Sequence, residues 1–209
     1  MCGIVGFVTN ETYKGINSRD KFLKQAIAVD YLRGAHSTGM YMVEHDHKKG
    51  NSPAWFKTLD AGHDFVERKE YDDIMLTSDD YGFVVAHNRY ATMGGIDVDT
   101  AHPFQEGAIT LVHNGTLDST HDLPTPMYDL DGVEVDSHAI CHNLNKHSAE
   151  DVIKSLYGAF TLIWHDSRDN CLRIIRNNKR PIHLAQHKHS DTIFFGSEGG
   201  MVSWLTERN

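Results

Sequence analysis

Short apolar runs bounded by turn-forming residues recur along the whole chain and constrain its fold more than any other feature. They are rich in β-branched and aromatic side chains and are separated by Gly, Asp and Asn, which is the pattern of β-strands. Strands are predicted at 3–9, 39–45, 53–59, 81–88, 108–114, 158–166, 171–177, 182–187 and 192–197. The spacing of the last four predicts a meander.

Helical periodicity separates these strands into groups. Apolar residues at near-helical spacing predict helices over 18–34, 136–145 and 149–156. Because strands and helices do not alternate strictly, the predicted fold class is α+β with largely antiparallel sheets. A length of 209 residues favours one large domain. The stretch 118–136 holds two of the five prolines and is predicted to be a long loop near a functional site.

The charge and the cysteines exclude several classes of function. With a formal charge of -9 and no basic block, the chain is expected to bind neither nucleic acid nor an anionic membrane. No apolar run reaches the roughly 18 residues that span a bilayer, and no secretion signal is present, so a cytoplasmic protein is expected. Cys2, Cys141 and Cys171 are widely separated and lack CxxC spacing, which predicts reduced thiols.

Fifteen histidines raise the question of a metal site. They cluster in HDHKK at 45–49 and HKH at 187–189, but no helical HxxxH or HExxH pair is present. We therefore expect most of these histidines to lie on the surface in contact with water, and we predict neither a metal nor any other cofactor.

The chain opens MCGIVGF, which places one of its few cysteines directly after the initiator methionine. Removal of Met1 would give Cys2 a free α-amine. A thiol has a pKa of about 8.5 and an α-amine one of about 7.7–8.0, so the amine can accept the thiol proton near neutral pH. One residue would then supply both nucleophile and base. The alternative is a small buried residue at the start of a strand. Gly3 is expected to let a substrate approach the backbone beside the thiol.

Four further stretches contain more Gly, Asn, Arg and Asp than packing explains. Each lies at the end of a predicted strand or at the edge of a helix, where a rigid scaffold commonly holds functional groups. They are RGAHSTG at 33–39, HNRYATMG at 87–94, HNGTLDS at 113–119 and VDSHAI at 135–140.

Together with CGIVGF, these stretches resemble the glutaminase domain of class II glutamine amidotransferases, which are N-terminal nucleophile hydrolases. In chain order, CGIVGF, RGxxSxG, HxRYATxG, TAHPF, HNGTL, DS and GAFTLIW match the family pattern. The resemblance extends from residue 2 to at least FGSE at 195–198, so residues 2–209 are expected to form a single glutaminase domain. It implies a four-layer αββα sandwich of two antiparallel sheets.

The resemblance also implies the chemistry of the site. Cys2 would attack the side-chain amide of glutamine, forming a thioester and releasing ammonia. Asn114 and Gly115 would form the oxyanion hole, with the Asn114 side-chain amide and the Gly115 N–H as donors. Without the family, the same Asn-Gly pair would be read as a hairpin turn.

Selection of glutamine over other amides requires one fixed cation and one fixed anion. Arg89 is suited to the α-carboxylate and Asp136 to the α-ammonium. Without the family, Arg89 would be read as a surface ion-pair residue and Asp136 as a helix N-cap. The remaining residues that the resemblance assigns to the substrate pocket are Tyr90, Ala91, Thr92 and Arg33.

The chain stops soon after the last family motif, so the expected partner is a separate synthase subunit that accepts the ammonia. Two alternatives stay open at this stage. One is a non-catalytic module that keeps the pocket to sense glutamine, which retention of Met1 would favour. The other is an N-terminal nucleophile hydrolase that acts on a different amide.

Overall fold

A computed structural model describes residues 2–10, 18–45, 50, 52–76, 81–187 and 191–208. The strands are β1 (Gly3–Val8), β2 (Ser37–Glu44), β3 (Ala54–Thr58), β4 (Tyr81–Arg89), β5 (Phe104–Glu106), β6 (Ile109–Ser119), β7 (Tyr157–Asp166), β8 (Cys171–Arg176), β9 (His183–Gln186) and β10 (Ile193–Gly196). The helices are α1 (Ser18–Asp30), α2 (Gly62–Phe65), α3 (Lys69–Leu76), α4 (Asp136–Lys146), α5 (Ala149–Lys154) and α6 (Gly199–Arg208), with a short 3-10 helix at Met127–Asp129.

The strands form two sheets in which every neighbouring pair is antiparallel. The six-stranded sheet has the order β3-β2-β4-β1-β10-β9, and the four-stranded sheet has the order β5-β6-β7-β8. The class predicted from sequence, α+β with antiparallel sheets, is confirmed.

Three apolar clusters show how the two sheets and the helices are layered. Side chains of α1, α2, α3 and α6 pack on one face of the six-stranded sheet, and those of α4 and α5 pack on one face of the four-stranded sheet. A third cluster joins the inner faces of the two sheets, where Ile4 and Val85 of one sheet meet Val112 and Ile163 of the other. The layer order is therefore αββα, as the family resemblance implied.

The central strands are apolar on both sides because they lie between two layers. In β4, Val84 and Ala86 face the helices, whereas Phe83 and Val85 face the other sheet. This arrangement explains why the sequence there reads as a continuous apolar run rather than an alternating one. All of these residues except Phe83 are fully buried.

The predicted strands are all present, but the predicted meander at the end of the chain is wrong. β7 and β8 pair in the four-stranded sheet, whereas β9 and β10 pair in the six-stranded sheet. The chain crosses between the sheets after Arg176, where KRP at 179–181 interrupts the apolar pattern. α2, α3, α6 and β5 were not predicted, since they are short or lack a clear period.

Two other expectations concern regions that bear on function. The stretch 118–136 is largely a loop, as predicted, although β6 runs into its first residues and the short 3-10 helix interrupts it. The histidine-rich stretches lie partly outside the described residues, at 46–49 and 188–190. No helix in the described part of the chain has both the length and the apolar character needed to cross a bilayer.

Strand pairing places the start of the chain beside the end of β4. β1 and β4 are antiparallel, and Gly3 pairs with Asn88. Cys2, which precedes β1, therefore lies against Arg89 and the residues that follow it. On the other side of β1, β10 pairs Gly196 with Val5, which brings Ser197 close to the same point.

Candidate functional site

The Cys2 thiol is buried and is held by the main chain of Tyr90. The Tyr90 N–H donates to Sγ at 3.3 Å, and the thiol donates to the Tyr90 carbonyl oxygen at 3.4 Å. Burial raises the pKa of the Cys2 thiol, and the hydrogen bond from Tyr90 partly opposes that effect. A raised thiol pKa leaves little thiolate near neutral pH, so this thiol requires a base in order to react.

The other two cysteines have different surroundings. Cys141 is fully buried on α4, where its thiol donates to the Phe104 carbonyl oxygen at 3.6 Å, and burial raises the pKa of that thiol. Cys171 lies exposed at the start of β8. Neither lines the cavity beside Cys2.

The last residue of β4, Arg89, holds the loop that follows the strand. Its buried guanidinium donates to the carbonyl oxygens of Met93 at 2.8 Å and Gly95 at 2.9 Å, and to the Thr100 hydroxyl at 3.0 Å. Its other N–H groups have no protein partner within the described part of the chain. The interpretation of Arg89 as a surface ion-pair residue is wrong, because the side chain is buried and its partners are uncharged.

Asp136 is the first residue of α4, and its carboxylate is buried. One oxygen accepts the Leu117 N–H at 2.9 Å, and the other accepts the Ser137 N–H at 2.8 Å. The helix N-terminus adds a favourable positive potential to this carboxylate. The N-cap position itself is occupied by Val135, so Asp136 is not the cap. The carboxylate is held by β6 and by its own helix, and it faces the cavity.

The HNG stretch lies in the middle of β6 and not at a turn. Asn114 pairs with Thr161, and Gly115 pairs with Phe160 in β7. The hairpin interpretation is therefore wrong, and so is the prediction that the strand ends at Asn114, because β6 continues to Ser119. The polar residues in the second half of β6 hid this continuation from the apolar pattern.

Within β6, the two residues of the predicted oxyanion hole have different surroundings. The Asn114 Nδ2 group donates to the Ser197 hydroxyl at 3.1 Å, and its buried Oδ1 has no partner among the described residues. Gly115 lines the cavity beside Cys2. A side chain at Gly115 would overlap the carbonyl oxygen of Ala159 in β7, so close strand packing requires glycine there.

A small cavity lies where these groups meet. It is lined by Cys2, Arg89, Tyr90, Thr92, Met93, Thr100, His102, His113, Gly115, Val135, Asp136 and Ser137. Six residues that the sequence assigned to the site are in this lining. They are Cys2, Arg89, Tyr90, Thr92, Gly115 and Asp136.

Three predicted site residues lie next to the cavity without lining it. Asn114 points towards Ser197, and the Ala91 N–H donates to His36 Nδ1 at 2.9 Å. Arg33 donates from Nε to the Cys2 carbonyl oxygen at 3.0 Å and forms an ion pair with Glu198. Arg33 thus contacts the main chain of Cys2 rather than the cavity assigned to the substrate.

Gly3 has a different role from the one expected. A Cβ at this position would overlap the carboxyl group of Asp30, the last residue of α1. The absence of a side chain at Gly3 therefore admits a buried carboxyl group from the helix layer, and not a substrate. The burial of Asp30 has no signal in the sequence, because a single acidic residue at the end of an amphipathic helix is normally exposed.

Asp30 is a buried acid with one weak partner. Its Oδ2 accepts from Asn88 Nδ2 at 3.2 Å, whereas Oδ1 has no partner among the described residues. Burial raises the pKa of Asp30 to about 7, against smaller opposing effects of Asn88 and Arg33, and Glu198 raises it further. The carboxyl group therefore titrates near neutral pH.

Three buried histidines form a group that the sequence analysis did not assign to the site. His87 and His102 have ring centroids 3.9 Å apart, and His87 Nε2 bonds to the His113 carbonyl oxygen at 3.0 Å. His113 Nδ1 bonds to the Ser137 hydroxyl at 3.0 Å, which links this group to the residue after Asp136. The expectation of surface histidines is wrong for these three. Their signal was their position in the HxRYATxG, TAHPF and HNG motifs.

The histidine group is uncharged at neutral pH. Burial lowers the pKa of His87 to about 3, and burial also lowers the pKa values of His102 and His113. The neutral rings of His87 and His102 lie near Arg89 and avoid repulsion of that cation. Within the residues that the structure describes, no three His, Cys, Asp or Glu side chains are grouped as metal ligands.

A wider cleft of about 500 Å³ adjoins the cavity and shares Thr100 and Val135 with it. On its floor, Lys57 Nζ donates to the Ala101 carbonyl oxygen at 2.8 Å and lies 5.2 Å from the centre of the Phe104 ring. Burial lowers the pKa of Lys57. The small cavity therefore has an open region beside it.

Comparisons with known proteins identify the family to which this chain belongs. A family model described as a glutamine amidotransferase domain matches residues 87–202. Glutamine–fructose-6-phosphate aminotransferase (isomerizing) of Staphylococcus epidermidis is 30% identical over 196 residues, which cover 87% of this chain and 30% of that protein. The Staphylococcus aureus protein of the same name is 30% identical over 200 residues, covering 88% of this chain and 30% of its own length.

This chain belongs to the glutamine amidotransferase family. Its fold is also that of a solved member, the glutamine phosphoribosylpyrophosphate amidotransferase of B. subtilis complexed with ADP and GMP. The TM-score is 0.65 at 17% identity, with 98% of this chain and 43% of that chain covered. The αββα sandwich is thus the fold of that amidotransferase. The chain spans about 30% of the length of the curated relatives it matches.

In this amidotransferase domain, Asp30 should make stability fall as the pH rises. Its folded pKa of about 7 lies above the usual unfolded value of about 3.9, so its contribution is greatest below the unfolded pKa and is lost as the pH rises to the folded pKa. Between pH 5 and pH 8, the loss should be on the order of 2–3 kcal/mol. Urea unfolding at both pH values measures it.

The Asp30→Asn variant serves as the reference, because an amide does not titrate. Its free energy of unfolding should fall less than that of the unsubstituted protein between the two pH values. Equal changes with pH in both proteins would contradict a buried, neutral Asp30.

Proposed function

We propose that this domain hydrolyses the side-chain amide of glutamine through a thioester on Cys2 and releases glutamate and ammonia. The observation that carries the proposal is the lining of one small cavity. A cysteine thiol, a guanidinium with unused N–H groups and a buried carboxylate face it together, at Cys2, Arg89 and Asp136. Glutamine has the complementary groups, namely an amide, an α-carboxylate and an α-ammonium.

The reaction would require that Met1, which lies outside the described residues, has already been removed. The freed α-amine of Cys2 takes the thiol proton as Sγ attacks the amide carbon of glutamine. The C–N bond then breaks, the amine gives its proton to the departing nitrogen, and ammonia leaves. The high pKa of the buried thiol makes this local base necessary.

The second half regenerates the thiol. Water attacks the thioester carbon while the same amine accepts a proton from it, and the proton returns to sulfur as glutamate leaves. Both halves pass through a tetrahedral oxyanion, which the Gly115 N–H and the second N–H of Asn114 Nδ2 would stabilise. The bond from Asn114 to Ser197 fixes the amide before substrate arrives.

Arg89 and Asp136 would hold the two ends of the amino acid. The N–H groups of Arg89 that the loop leaves unused can bind a carboxylate, and a carboxylate such as Asp136 can accept further bonds besides those from Leu117 and Ser137. Tyr90 and Thr92 would form the adjoining wall, with Ala91 next to it. Arg33 would orient the nucleophile through the Cys2 carbonyl oxygen instead of touching glutamine.

Replacement of Cys2 tests the nucleophile. Cys2→Ala should abolish glutamate release while leaving the fold intact, because no other thiol lines the cavity. Cys171→Ala is the matched control and should keep full activity, since Cys171 is exposed on β8. A glutamine analogue that alkylates thiols should add one adduct at Cys2, as seen by peptide mass spectrometry.

Intact mass provides the companion measurement. Loss of one methionine supports catalysis, whereas full retention of Met1 would favour the glutamine-sensing alternative, because an acylated α-amine cannot act as a base. Full activity of the Cys2→Ala variant would contradict the proposed mechanism.

The proposed contact between Arg89 and the α-carboxylate of glutamine predicts that the enzyme selects strictly for substrates with that group. Arg89→Lys should raise the KM for glutamine by roughly tenfold or more, with a smaller effect on kcat. The lysine ammonium cannot reproduce the paired, coplanar N–H groups of the Arg89 guanidinium, which also hold the loop. Arg176→Lys, at an exposed arginine on β8, is the control and should change neither constant. Equal rates with glutamine and with an amide lacking the α-carboxylate would instead favour a hydrolase of another amide.

We also propose that residues 2–209 act as one cytoplasmic glutaminase unit whose ammonia passes to a separate synthase subunit. Support comes from the relatives, whose names describe transfer of nitrogen from glutamine to fructose 6-phosphate. Free ammonia becomes ammonium in water and diffuses away, so a docked acceptor is the more useful arrangement.

A coupled partner should raise turnover. Addition of candidate synthases encoded beside this chain should increase its rate of glutamine hydrolysis severalfold, measured as glutamate release. The Cys2→Ala variant with the same synthases is the control and should release none. No increase with any of them would contradict a separate acceptor subunit.

A further inference from the structure

Asp30 is placed unusually for a buried carboxyl group. It comes from the end of α1, a position where the helix dipole disfavours negative charge, and it occupies the space where a side chain of Gly3 would lie. Only 2% of the residue is exposed. Its Oδ1 has no partner within the described residues. A buried polar atom without a partner is costly, so such an atom calls for a specific explanation.

The groups that face Asp30 come from each element packed around it. β4 contributes Asn88, which is uncharged, and α2 contributes no charged group at this contact, since Gly62 packs there against Asn88. The charged groups are Arg33, after α1, and Glu198, before α6. β1 contributes the main chain next to Cys2. Removal of Met1 would create one new titratable group here, the α-amine, a single residue from Gly3.

We propose that Asp30 is the partner of the Cys2 α-amine in the chain from which Met1 has been removed, and that the two groups share one proton. Asp30 is then a positioning residue, acting on the reaction through the base and not through the substrate. The inference rests on the proposed function for its catalytic meaning, but the pairing itself does not require glutamine to be the substrate.

The shared proton has a simple balance. A carboxylic acid beside a free amine and a carboxylate beside an ammonium hold the same number of protons, so one form converts to the other by transfer across the pair. Burial favours the uncharged form, in which the amine can accept the thiol proton. Ionisation of Asp30 stabilises the ammonium form of the Cys2 α-amine, and in that form the amine cannot accept the thiol proton. The pair therefore titrates as a unit with two macroscopic steps.

Competitive acylation of the α-amine measures this coupling without any catalysis. The background is Cys2→Ser, which keeps the α-amine and removes the reactive thiol, and the extent of acylation is read by mass spectrometry between pH 5 and pH 10. Asp30→Asn in this background should lower the midpoint for amine acylation by roughly half a pH unit or more, because no carboxylate remains to stabilise the ammonium. Asp73→Asn on exposed α3 makes the same charge change and should shift it far less.

An unchanged midpoint in Asp30→Asn would overturn the proposal. If that variant does not fold, 13C-aspartate labelling of the Cys2→Ser protein keeps the test available, because the Asp30 carboxyl resonance should show two inflections with pH. A single inflection would also overturn it. Lack of glutamine hydrolysis together with a shifted midpoint would reject the proposed function and leave the Asp30 pairing standing.

The kinetic consequence follows in the active protein. In Asp30→Asn, the acid limb of the pH profile of kcat/KM for glutamine should move to lower pH, since the amine loses its proton more readily. A uniform fall in rate at every pH would indicate a structural role only and would count against the proposal.

Discussion

The antiparallel pairing of β1 with β4 is the constraint on which the rest of this structure depends. It fixes Gly3 against Asn88, and so places Cys2 beside Arg89 and Tyr90 from a segment nearly ninety positions along the chain. The pairing is secured on both sides of the sheet, because alternate residues of these strands face the helices and the second sheet. A one-residue slip would exchange those faces, so the apolar core specifies the register and the register specifies the site.

The cavity is organised before any substrate arrives. Arg89 is held by carbonyl oxygens of its own loop, Asp136 by main-chain N–H groups, and Asn114 by Ser197. Charged groups held in this way reorganise little on binding, which is the condition for strong electrostatic stabilisation in a buried site. The neutral histidines next to Arg89 fit the same arrangement, since they fill space near a cation without adding positive charge.

The sequence predicted the features that depend on local pattern. The strands and the two principal helices follow from periodicity. The position of Cys2 suggested a nucleophile, whereas Arg89 and Asp136 were assigned to the site only through the family resemblance. The features that it missed depend on pairing between distant segments. The position of Asn114 in mid-strand requires β7 as a partner, and the fit of Asp30 against Gly3 requires α1 to pack over β1. Local sequence carries no signal for either contact.

The pairing of β1 with β10 also orders events during synthesis of the protein. Ser197 accepts a hydrogen bond from the Ile4 N–H and another from Asn114, so the surroundings of Cys2 include a residue made long after it. At ordinary translation rates, the ribosome needs roughly 10–40 s to reach Ser197 after making Cys2. Throughout that time β1 lacks one of its two neighbours. The six-stranded sheet around Cys2 is therefore completed only after β10 has been made.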